Sequence, residues 1–275
     1  MNDTVSVVVT TRNVERTLAA CLASVRAQTH LPTQVIVVDN HSTDRTPEIA
    51  RDFADVVLVE GPERSAQRNI GFAAATGDWT MWVDADMVLR ANVLEACLAA
   101  TADGARAVSI PETTIGEGYW TRVRALERHC YSDQPQLFNP RFLARGLLTD
   151  LGGFDESMAG PEDADLRRRL HEAGVPCAVA DAWIDHDEGR LTLHGVWNKR
   201  VYYGSSLPEF TSSNPGGLRR QARDTLAAYW THRVDLAKRP DLTAGLVVLR
   251  GMEVAAYARG AVKSARASSA EVSAA

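Results

Sequence analysis

The chain has 275 residues, of which 45% are hydrophobic, and this suits one large α/β domain or one domain with a smaller appendage. Its formal net charge of −5 argues against a general nucleic-acid-binding surface, so we expect no nucleic-acid partner. The four cysteines are scattered, without the spacing of a metal site or of a small disulfide scaffold. We interpret them as reduced core thiols of a cytoplasmic protein.

Neither end of the sequence has the pattern of a secretory or membrane-spanning segment. Residues 1–9 lead directly into an apolar strand and lack the basic start and long apolar run of a signal peptide. The apolar segment 242–262 is interrupted by Arg250, Glu253 and Arg259, so we do not expect it to span a membrane. We expect this C-terminal helix to pack on the domain, to form a homodimer, or to make a peripheral contact at the inner face of the membrane.

Short β-branched runs alternate with helical patterns in the first part of the chain. The run over residues 5–9 is followed by a polar loop and then by an amphipathic helix from Val14, for which Asn13 is the predicted N-cap. Further strands are predicted over residues 35–38, 56–59 and 79–83, and further helices from Pro47 and over 65–75. This alternation predicts a parallel sheet covered by helices, in which ligands bind beyond the carboxyl ends of the strands.

The second part of the chain is less regular. We predict helices over residues 91–100, 119–131 and 161–173, strands over 107–110 and 177–180, and mainly helices from residue 191 onward. The signals for separate elements are weaker here, because loops and single polar residues interrupt the apolar periodicity.

Asp84-Ala85-Asp86 follows the fourth predicted strand. Two carboxylates spaced by one residue at a strand end can face the same point. Hard cations such as Mn²⁺ and Mg²⁺ prefer such oxygen ligands, often together with substrate phosphates. The alternative is a solvated acidic turn. The position of the segment beside other strand-end polar clusters favours a metal site, where a cation would neutralise a leaving diphosphate.

Polar residues also follow the first and second strands. They are Thr10, Thr11, Arg12 and Asn13 after the first strand, and Asp39 and Asn40 after the second. A short acceptor such as Asp39 can bond a base or a ribose, and the alternative role of helix N-cap suits Thr43 or Asp44 better. Arg68, on the predicted helix over 65–75, is a candidate for holding a diphosphate, with a solvated helix face as the alternative.

Two later segments hold further candidates. Glu162 and Asp163 open a predicted helix, where acidic residues are favoured by the helix dipole, so they are either caps or the source of a general base. His186 stands between two aspartates. A lone histidine is more often structural than a ligand, but the local acidic density favours a role for His186 at the metal.

Six short motifs occur in an order that resembles the family 2 glycosyltransferases, over about residues 4–190. The motifs are VSVVVTTRN (5–13), VIVVDNHSTD (35–44), RNIG (68–71), DAD (84–86), GGFD (152–155) and EDADL (162–166). Each motif is weak alone, but their order is specific. The resemblance implies an α/β fold of the GT-A type, which is Rossmann-like, with a mostly parallel sheet flanked by helices and here a helical C-terminal extension.

The resemblance also implies roles for the candidate residues. The nucleotide-sugar would be held by Thr10, Thr11, Arg12, Asn13, Asp39, Asn40, Arg68, Asp84 and Ala85. Asp39 would contact the base. Asp86 would be the surer metal ligand, Asp84 would bind directly, through water or to the ribose, and His186 would be a further ligand. Asp163, with Glu162 beside it, would be the general base of an inverting transfer.

The expected activity is a metal-dependent transfer of one sugar from a nucleotide-diphosphate sugar to an acceptor hydroxyl. UDP-sugars are favoured over GDP- or TDP-sugars by family frequency, and the cation is Mn²⁺ or Mg²⁺. The Gln-x-x-Arg-Trp motif of processive synthases is absent, which favours single transfer. The expected organisation is a catalytic domain over 1–190 (nucleotide half to about 110, acceptor half 111–190), a helical extension over 191–263 and a disordered tail over 264–275.

Two alternatives stay open, a nucleotidyltransferase and a catalytically silent binding protein, and a third, a Rossmann dehydrogenase, is discounted. A nucleotidyltransferase of sugar phosphates would need a glycine-rich phosphate loop, and a dehydrogenase would need G-x-G-x-x-G; neither follows the first strand. A catalytically silent sugar-nucleotide-binding protein would not need the acidic residues.

The acceptor is expected to be a small molecule, a glycan or a lipid-linked molecule. A group of aromatic and basic residues could bind it, and the alternative is that these residues only pack helices together. They are Tyr119, Trp120, Arg122, Arg124, Trp197, Lys199, Arg200, Tyr202 and Tyr203.

Overall fold

The computed structural model describes the backbone of residues 3–274 and the side chains of residues 3–266. The chain forms two compact units, each built from three segments. The first unit contains residues 1–113, 138–156 and 166–187, and the second contains 114–137, 157–165 and 188–275.

Ten strands form two sheets in the described part of the chain. They are β1 Val5–Thr11, β2 Gln34–Asp39, β3 Val56–Val59, β4 Trp79–Asp84, β5 Met87–Leu89, β6 Ala107–Ile110, β7 Glu112–Ile115, β8 Asn139–Ala144, β9 Cys177–Val179 and β10 Ile184–Asp187. The large sheet has the order β3-β2-β1-β4-β8-β6-β9, and a small sheet has the order β5-β10-β7.

The large sheet is mostly parallel, as the sequence predicts, but one strand departs from the pattern. Strands β1, β2, β3 and β4 are parallel, and so are β6 and β9. Strand β8 runs antiparallel to both β4 and β6. The alternation of strands and helices does not predict it, because Pro140 and Arg141 interrupt its apolar run.

Twelve helices accompany the sheets in the described residues. They are α1 Leu18–Arg26, α2 Thr46–Phe53, α3 Arg64–Ala74, α4 Val93–Ala100, α5 Tyr119–Cys130, α6 Leu147–Asp150, α7 Glu162–Glu172, α8 Leu193–Gly204, α9 Leu207–Ser213, α10 Gly217–Thr231, α11 Arg233–Lys238 and α12 Pro240–Ala274. The first helix starts later than predicted. Its N-cap position is Thr17, and Asn13 has a φ of 50°, so the prediction of Asn13 as N-cap is wrong.

The core of the first unit lies on both faces of the large sheet. All seven residues of β1 are buried. Because side chains alternate along a strand, Val7 and Val9 join one apolar cluster with α1, while Val8 joins a second cluster with Ile36 and Ile70. Burial of each such side chain contributes about 1.5–3 kcal/mol, so the central strands are a rigid base for the loops that follow them.

Cysteine burial follows the position of the strands and helices. All four cysteines are free, and three of them are buried as predicted. Cys177 is exposed, so the prediction of a core thiol is wrong at this position. The reason is that β9 is an edge strand of the large sheet, with little covering its side chains.

The second unit is helical and has its own core. Val123 of α5 and Val196 of α8 pack against three leucines of α12, Leu242, Leu246 and Leu249. Helices α8 and α12 also approach each other at two glycines. A Cβ atom at Gly204 would lie 2.4 Å from the Tyr257 carbonyl oxygen, and one at Gly260 would lie 2.2 Å from the Val201 carbonyl oxygen.

A buried ionic network joins four helices of the second unit. Glu253 of α12 accepts from Arg124 of α5 and Arg200 of α8, and Glu127 accepts from Tyr229 of α10. Arg250 bonds both glutamates. Arg124 and Arg200 were candidates for an acceptor surface, but their guanidinium groups serve helix packing here. The packing interpretation therefore holds for these two residues.

Among the described residues, no helix is long and apolar enough to cross a membrane. Helix α12 is continuous through Ala274, and the described side chains end at Arg266. The predicted disordered tail falls largely on residues beyond that point and stays a prediction, as do the predicted domain boundaries.

Candidate active site

The carboxyl ends of the central strands bring together polar residues that are far apart in sequence. In the register of the large sheet, Thr11 lies opposite Asp39 on β2, and Thr10 lies opposite Asp84 on β4. Strands that run parallel end at the same edge, and loops at this edge form the usual ligand crevice of open α/β sheets. The sequence-predicted clusters after β1, β2 and β4 therefore share one edge.

Asp39 organises the loops after β1 and β2. Its side chain is fully buried, and its Oδ1 accepts from the Thr11 hydroxyl at 2.8 Å and from the Ser42 hydroxyl at 2.6 Å. Its Oδ2 accepts from the Ser42 backbone N–H at 2.8 Å. A carboxylate has about four lone-pair positions, so three of those of Asp39 are already used within the protein.

The two loops are also linked directly. The Asn13 backbone N–H donates to the Ser42 hydroxyl, and the Asn13 side-chain oxygen accepts from the Thr43 N–H, each at 2.8 Å. Asn13 and His41 have φ values of 50° and 48°, a backbone region that asparagine tolerates better than most residues. The pairing exposes Asn13 and Arg12 at the surface of this loop.

Helix α3 donates hydrogen bonds to the backbone at the same edge of the sheet. Gln67 donates to the Thr11 carbonyl at 2.9 Å and to the Val38 carbonyl at 2.7 Å, and it is buried. The Asn40 backbone N–H donates to the Thr11 carbonyl at 2.9 Å, and its side chain donates to the Pro62 carbonyl at 3.1 Å. These bonds leave little freedom to the backbone after β1 and β2.

Asp84 is held by two arginines. Its Oδ1 pairs with Arg68 at 2.8 Å, and its Oδ2 lies 3.3 Å from Arg141. Both guanidinium groups lie over the Trp82 ring, 3.8 and 4.0 Å from its centroid, where a cation is attracted by the ring face. Arg68 is only 1% exposed, so the interpretation of this residue as part of a solvated helix face is wrong.

The charges around Asp84 decide its ionisation. Burial raises the pKa of Asp84, but the guanidinium groups of Arg68 and Arg141 more than offset this effect and hold the pKa well below its usual value. Asp84 is therefore a carboxylate at neutral pH. Breaking such a buried pair costs about 3–5 kcal/mol, because the remaining charge loses its partner.

Asp86 has a different neighbour. The Oδ2 of Asp86 lies 3.1 Å from the Nε2 of His186, whose Nδ1 lies 3.8 Å from the Oε2 of Glu112. The pairing of β5 with β10 creates this contact, because His186 stands opposite Met87, the residue after Asp86. The Asp187 N–H also donates to the Asp86 carbonyl at 2.7 Å, which fixes the two backbones together.

The donors around Asp86 fit a divalent cation. An octahedral ion with ligands at about 2.1 Å has neighbouring ligand atoms about 3 Å apart, and the carboxylate–imidazole distance of 3.1 Å matches this spacing. Carboxylate and imidazole are ligands of Mn²⁺ and related ions. Glu112 lies 3.8 Å from the other ring nitrogen, where a carboxylate can orient a ligating imidazole. Ala85 is buried between the two aspartates.

Glu162 and Asp163 lie in the segment 157–165 of the second unit, at the start of α7. Glu162 is 1% exposed, and its Oε2 accepts from the Gly160 N–H at 2.5 Å in the turn just before the helix. Asp163 is half-buried. The remaining predicted site residues belong to the first unit, and only these two belong to the second.

Sequence reasoning missed several residues of this site. Arg141 and Glu112 pair at 2.7 Å and link Asp84 to the surroundings of His186, although they come from β8 and β7. One signal could have found Arg141, which is a charged residue inside an otherwise apolar run over 140–144. Ser42 and Gln67 gave no such signal, because serine and glutamine are common in loops and on helix surfaces.

Comparison with known proteins agrees with this arrangement. Residues 6–157 match the family described as glycosyl transferase family 2. The pre-mycofactocin glycosyltransferase of Mycobacterium tuberculosis is 31% identical over 229 residues, which cover 74% of this chain and 47% of that protein. The succinoglycan biosynthesis protein ExoO of Rhizobium meliloti is 26% identical, with 83% of this chain and 72% of that protein covered. The chain thus spans about half the length of the first of these relatives.

Solved structures share the fold. The mannosyltransferase PcManGT from Pyrobaculum calidifontis, in complex with GDP-Man and Mn²⁺, has a TM-score of 0.60 at 21% identity, with 96% of this chain and 87% of that chain covered. TarS 1–349 of S. aureus, in complex with UDP-GlcNAc, has a TM-score of 0.54 at 18% identity, with 96% and 92% covered. The matched family and the shared architecture agree, and the chain belongs to glycosyl transferase family 2, with the GT-A fold.

Proposed function

We propose that this protein is a metal-dependent, inverting glycosyltransferase that moves one sugar from a nucleoside diphosphate sugar to an acceptor hydroxyl. The observation that carries the proposal is the common edge of β1, β2 and β4. There the loop network of Asp39, the charged Asp84 and the pair of Asp86 and His186 stand at successive strand ends. The family match supports the same activity.

Asp86 and His186 are the proposed metal ligands. Their spacing of 3.1 Å suits one shared ion, and Glu112 would orient the imidazole from its other nitrogen. When bound, a Mn²⁺ or Mg²⁺ ion would neutralise charge on the leaving diphosphate. The mannosyltransferase with a similar fold was solved with Mn²⁺, which supports a divalent cation here.

Asp84 has a second role in this proposal. Both of its oxygens already contact arginines, so we propose that it reaches the metal through water or contacts the ribose of the donor. Arg68, fixed by Asp84, presents positive charge beside the donor diphosphate. This division of roles makes Asp86 the direct ligand of the pair.

The nucleoside side of the site is assigned to the loops after β1 and β2. We propose that Thr10, Thr11, Arg12, Asn13 and Asn40 line it and that Asp39 uses its remaining lone pair toward the base. UDP-sugars stay our first expectation for the donor. Related folds were solved with UDP-GlcNAc and with GDP-Man, so both bases belong in the test.

Asp163 is the proposed general base. The acceptor oxygen attacks the anomeric carbon while the bond from that carbon to the diphosphate oxygen breaks, and its electron pair leaves with the diphosphate. The hydroxyl proton moves to the Asp163 carboxylate. Glu162 is buried in its contact with Gly160, so we assign to it the support of this helix start and not the proton transfer.

For the acceptor and the cellular location we propose broad classes. We propose a small-molecule, glycan or lipid-linked hydroxyl as the acceptor and a cytoplasmic location for the reaction. Contact of α12 with a second copy of the chain or with a membrane surface stays a prediction.

The test is a thermal-shift screen of UDP, GDP, TDP, ATP and NAD, each with and without Mn²⁺. We expect a nucleoside diphosphate to raise the unfolding temperature only when Mn²⁺ is present, because the diphosphate would be held through the ion. The substitution Asp86→Ala should remove this effect, and Asp103→Ala, at an exposed loop position, should keep it. Stabilisation by ATP or NAD without metal would overturn the proposal.

A further inference from the structure

A second group of metal-ligand side chains lies in the helical unit, apart from the residues assigned to sugar transfer. His129 stands in the last turn of α5, and His232 is the single residue between α10 and α11. Asp235 lies one turn later, in α11. One ligand atom from each of these three residues lies within 4.8 Å of the other two.

The two imidazoles face the same carboxylate oxygen. The Oδ2 of Asp235 lies 3.6 Å from the Nε2 of His129 and 3.5 Å from the Nδ1 of His232. A tetrahedral zinc ion with ligands at about 2.0–2.1 Å has neighbouring ligand atoms about 3.4 Å apart. Both distances are close to this spacing, and the ligand atoms of the two histidines lie within 4.8 Å of each other.

Hydrogen bonds with neighbouring side chains orient both His232 and Asp235. The second nitrogen of His232, Nε2, lies 3.0 Å from the Oδ1 of Asp133, and Gln134 donates to the same oxygen at 2.8 Å. A carboxylate on the far nitrogen of a ligating histidine fixes the ring and raises its basicity. Lys238 holds the other oxygen of Asp235 at 2.9 Å, which leaves Oδ2 toward the histidines.

We propose that His129, His232 and Asp235 bind a zinc ion or a similar borderline cation, with water in the fourth position and Asp133 as the supporting carboxylate. Two imidazoles and one carboxylate are a ligand set that zinc uses with an open position. His129 is 55% exposed, so the ion would have access from solvent. The ion would join the end of α5 to the junction of α10 and α11.

The same side chains also suit a simpler arrangement, in which a protonated imidazole pairs with the carboxylates. The hydrogen bond that the His232 ring donates to the Asp133 carboxylate raises the pKa of His232, which fits that arrangement as well. The two cases differ in one measurable property, because an ion pair binds no zinc. Direct titration therefore separates them.

The experiment is isothermal titration of ZnCl₂ into chelator-treated full-length protein without a histidine tag. Because the proposed donor-site ligands Asp86 and His186 can also bind zinc, the titration is made in the Asp86→Ala background, which removes one of them. There we expect one site, which His129→Ala and His232→Ala should each weaken at least 100-fold. His194→Ala is the matched control, because His194 contacts only Asn198 among the described hydrogen bonds. Asp133→Asn should weaken binding by about 10–100-fold, since it removes the supporting carboxylate and no ligand.

Unchanged zinc binding in His129→Ala would overturn the proposal, and so would the absence of saturable zinc binding in the wild-type protein at millimolar concentration. His129 is largely exposed, so its replacement leaves the core intact, and circular dichroism verifies the fold of each variant. Co²⁺ in place of zinc gives a second readout, because strong visible bands are expected from a four-coordinate site. This outcome does not depend on the proposed sugar transfer.

Discussion

Asp84 and Asp86 are one residue apart, yet their carboxylates have different neighbours. Asp84 is surrounded by guanidinium groups, whereas Asp86 contacts an imidazole. The backbone after β4 explains the difference, because the chain enters β5 at Met87 and pairs there with the strand of His186. A spacing of one residue in the sequence therefore does not imply one shared role.

The first prediction concerns Asp86. The change Asp86→Ala should raise the Mn²⁺ concentration that nucleotide binding requires at least about tenfold, because a direct ligand of the ion is lost. A Mn²⁺ titration followed by thermal shift, with the nucleotide that stabilises the wild-type protein, measures the effect. Asp103→Ala serves as the exposed acidic control. An unchanged titration would remove Asp86 from the metal site.

The second prediction concerns Asp163. The change Asp163→Asn keeps the size of the side chain but removes its ability to accept a proton, so turnover should fall by about 10²–10⁴-fold. Nucleotide binding should survive, since the donor residues belong to the other unit. Turnover is measured as release of the nucleoside diphosphate from the donor. Near-normal turnover would show that another group takes the proton.

At the scale of elements, regular apolar runs were predictable and short polar strands were not. Strands β3 and β6 have the bounds that the sequence predicts. Strand β10 has the sequence Ile-Asp-His-Asp, with no apolar alternation, and β5 has only three residues. Both form because they pair with each other, and pairing between segments about 95 residues apart is not visible in a local pattern.

Some residues of the candidate site could likewise be predicted from the sequence, and others could not. Asp39, Asp84 and Asp86 follow strongly apolar strands, so their common edge could be predicted. The partners of Asp84 could not be predicted in full, because Arg141 is 57 residues away on an antiparallel strand that the alternation of strands and helices does not predict. The buried ionic network of Arg124 and Glu253 in the second unit could not be predicted either, because charged residues on helices are usually solvated.

The third prediction concerns Gly71, the glycine of the RNIG motif. Gly71 of α3 packs against β1, and a Cβ atom there would lie 2.2 Å from Val8 Cγ1. We expect Gly71→Ala to lower the free energy of unfolding by about 1–3 kcal/mol, because the helix must move off the sheet. Gly251→Ala, in α12 with no atom within 4 Å of the added carbon, should instead be neutral or stabilising by up to about 1 kcal/mol.

Urea denaturation followed by circular dichroism measures both glycine variants. Equal stability of Gly71→Ala and the wild-type protein would contradict the close approach of α3 to β1.

At the scale of the molecule, a buried glutamate of the second unit makes the stability of the protein depend on pH. In the second unit, burial raises the pKa of Glu253, but Arg124, Arg200 and Arg250 lower it more strongly, to about 2 from the usual 4.5. A lowered folded-state pKa stabilises the protein above the unfolded value. The stabilisation by Glu253 is therefore complete above about pH 4.5 and is lost as the pH falls towards 2.

The fourth prediction uses this window. The change Glu253→Gln should destabilise the protein at pH 7 by on the order of 3 kcal/mol, because it leaves buried arginines with one charge fewer to pair. The difference from the wild-type protein should shrink as the pH falls from about 4.5 towards 2. Urea midpoints across that range measure it, with the exposed Glu209→Gln as control. A difference that stays constant with pH would contradict the role of the charge.

The interleaving of the two units has a consequence for how such a protein can be recombined. The helical unit takes residues 114–137 and 157–165 from the middle of the chain as well as everything after residue 187. A hybrid joined to a relative at one point near residue 190 would combine α5 of one parent with α8 and α12 of the other. Those helices share one core and one ionic network, so single-crossover chimeras should inherit mismatched partners. Exchange of this unit between family members would require all three segments to travel together.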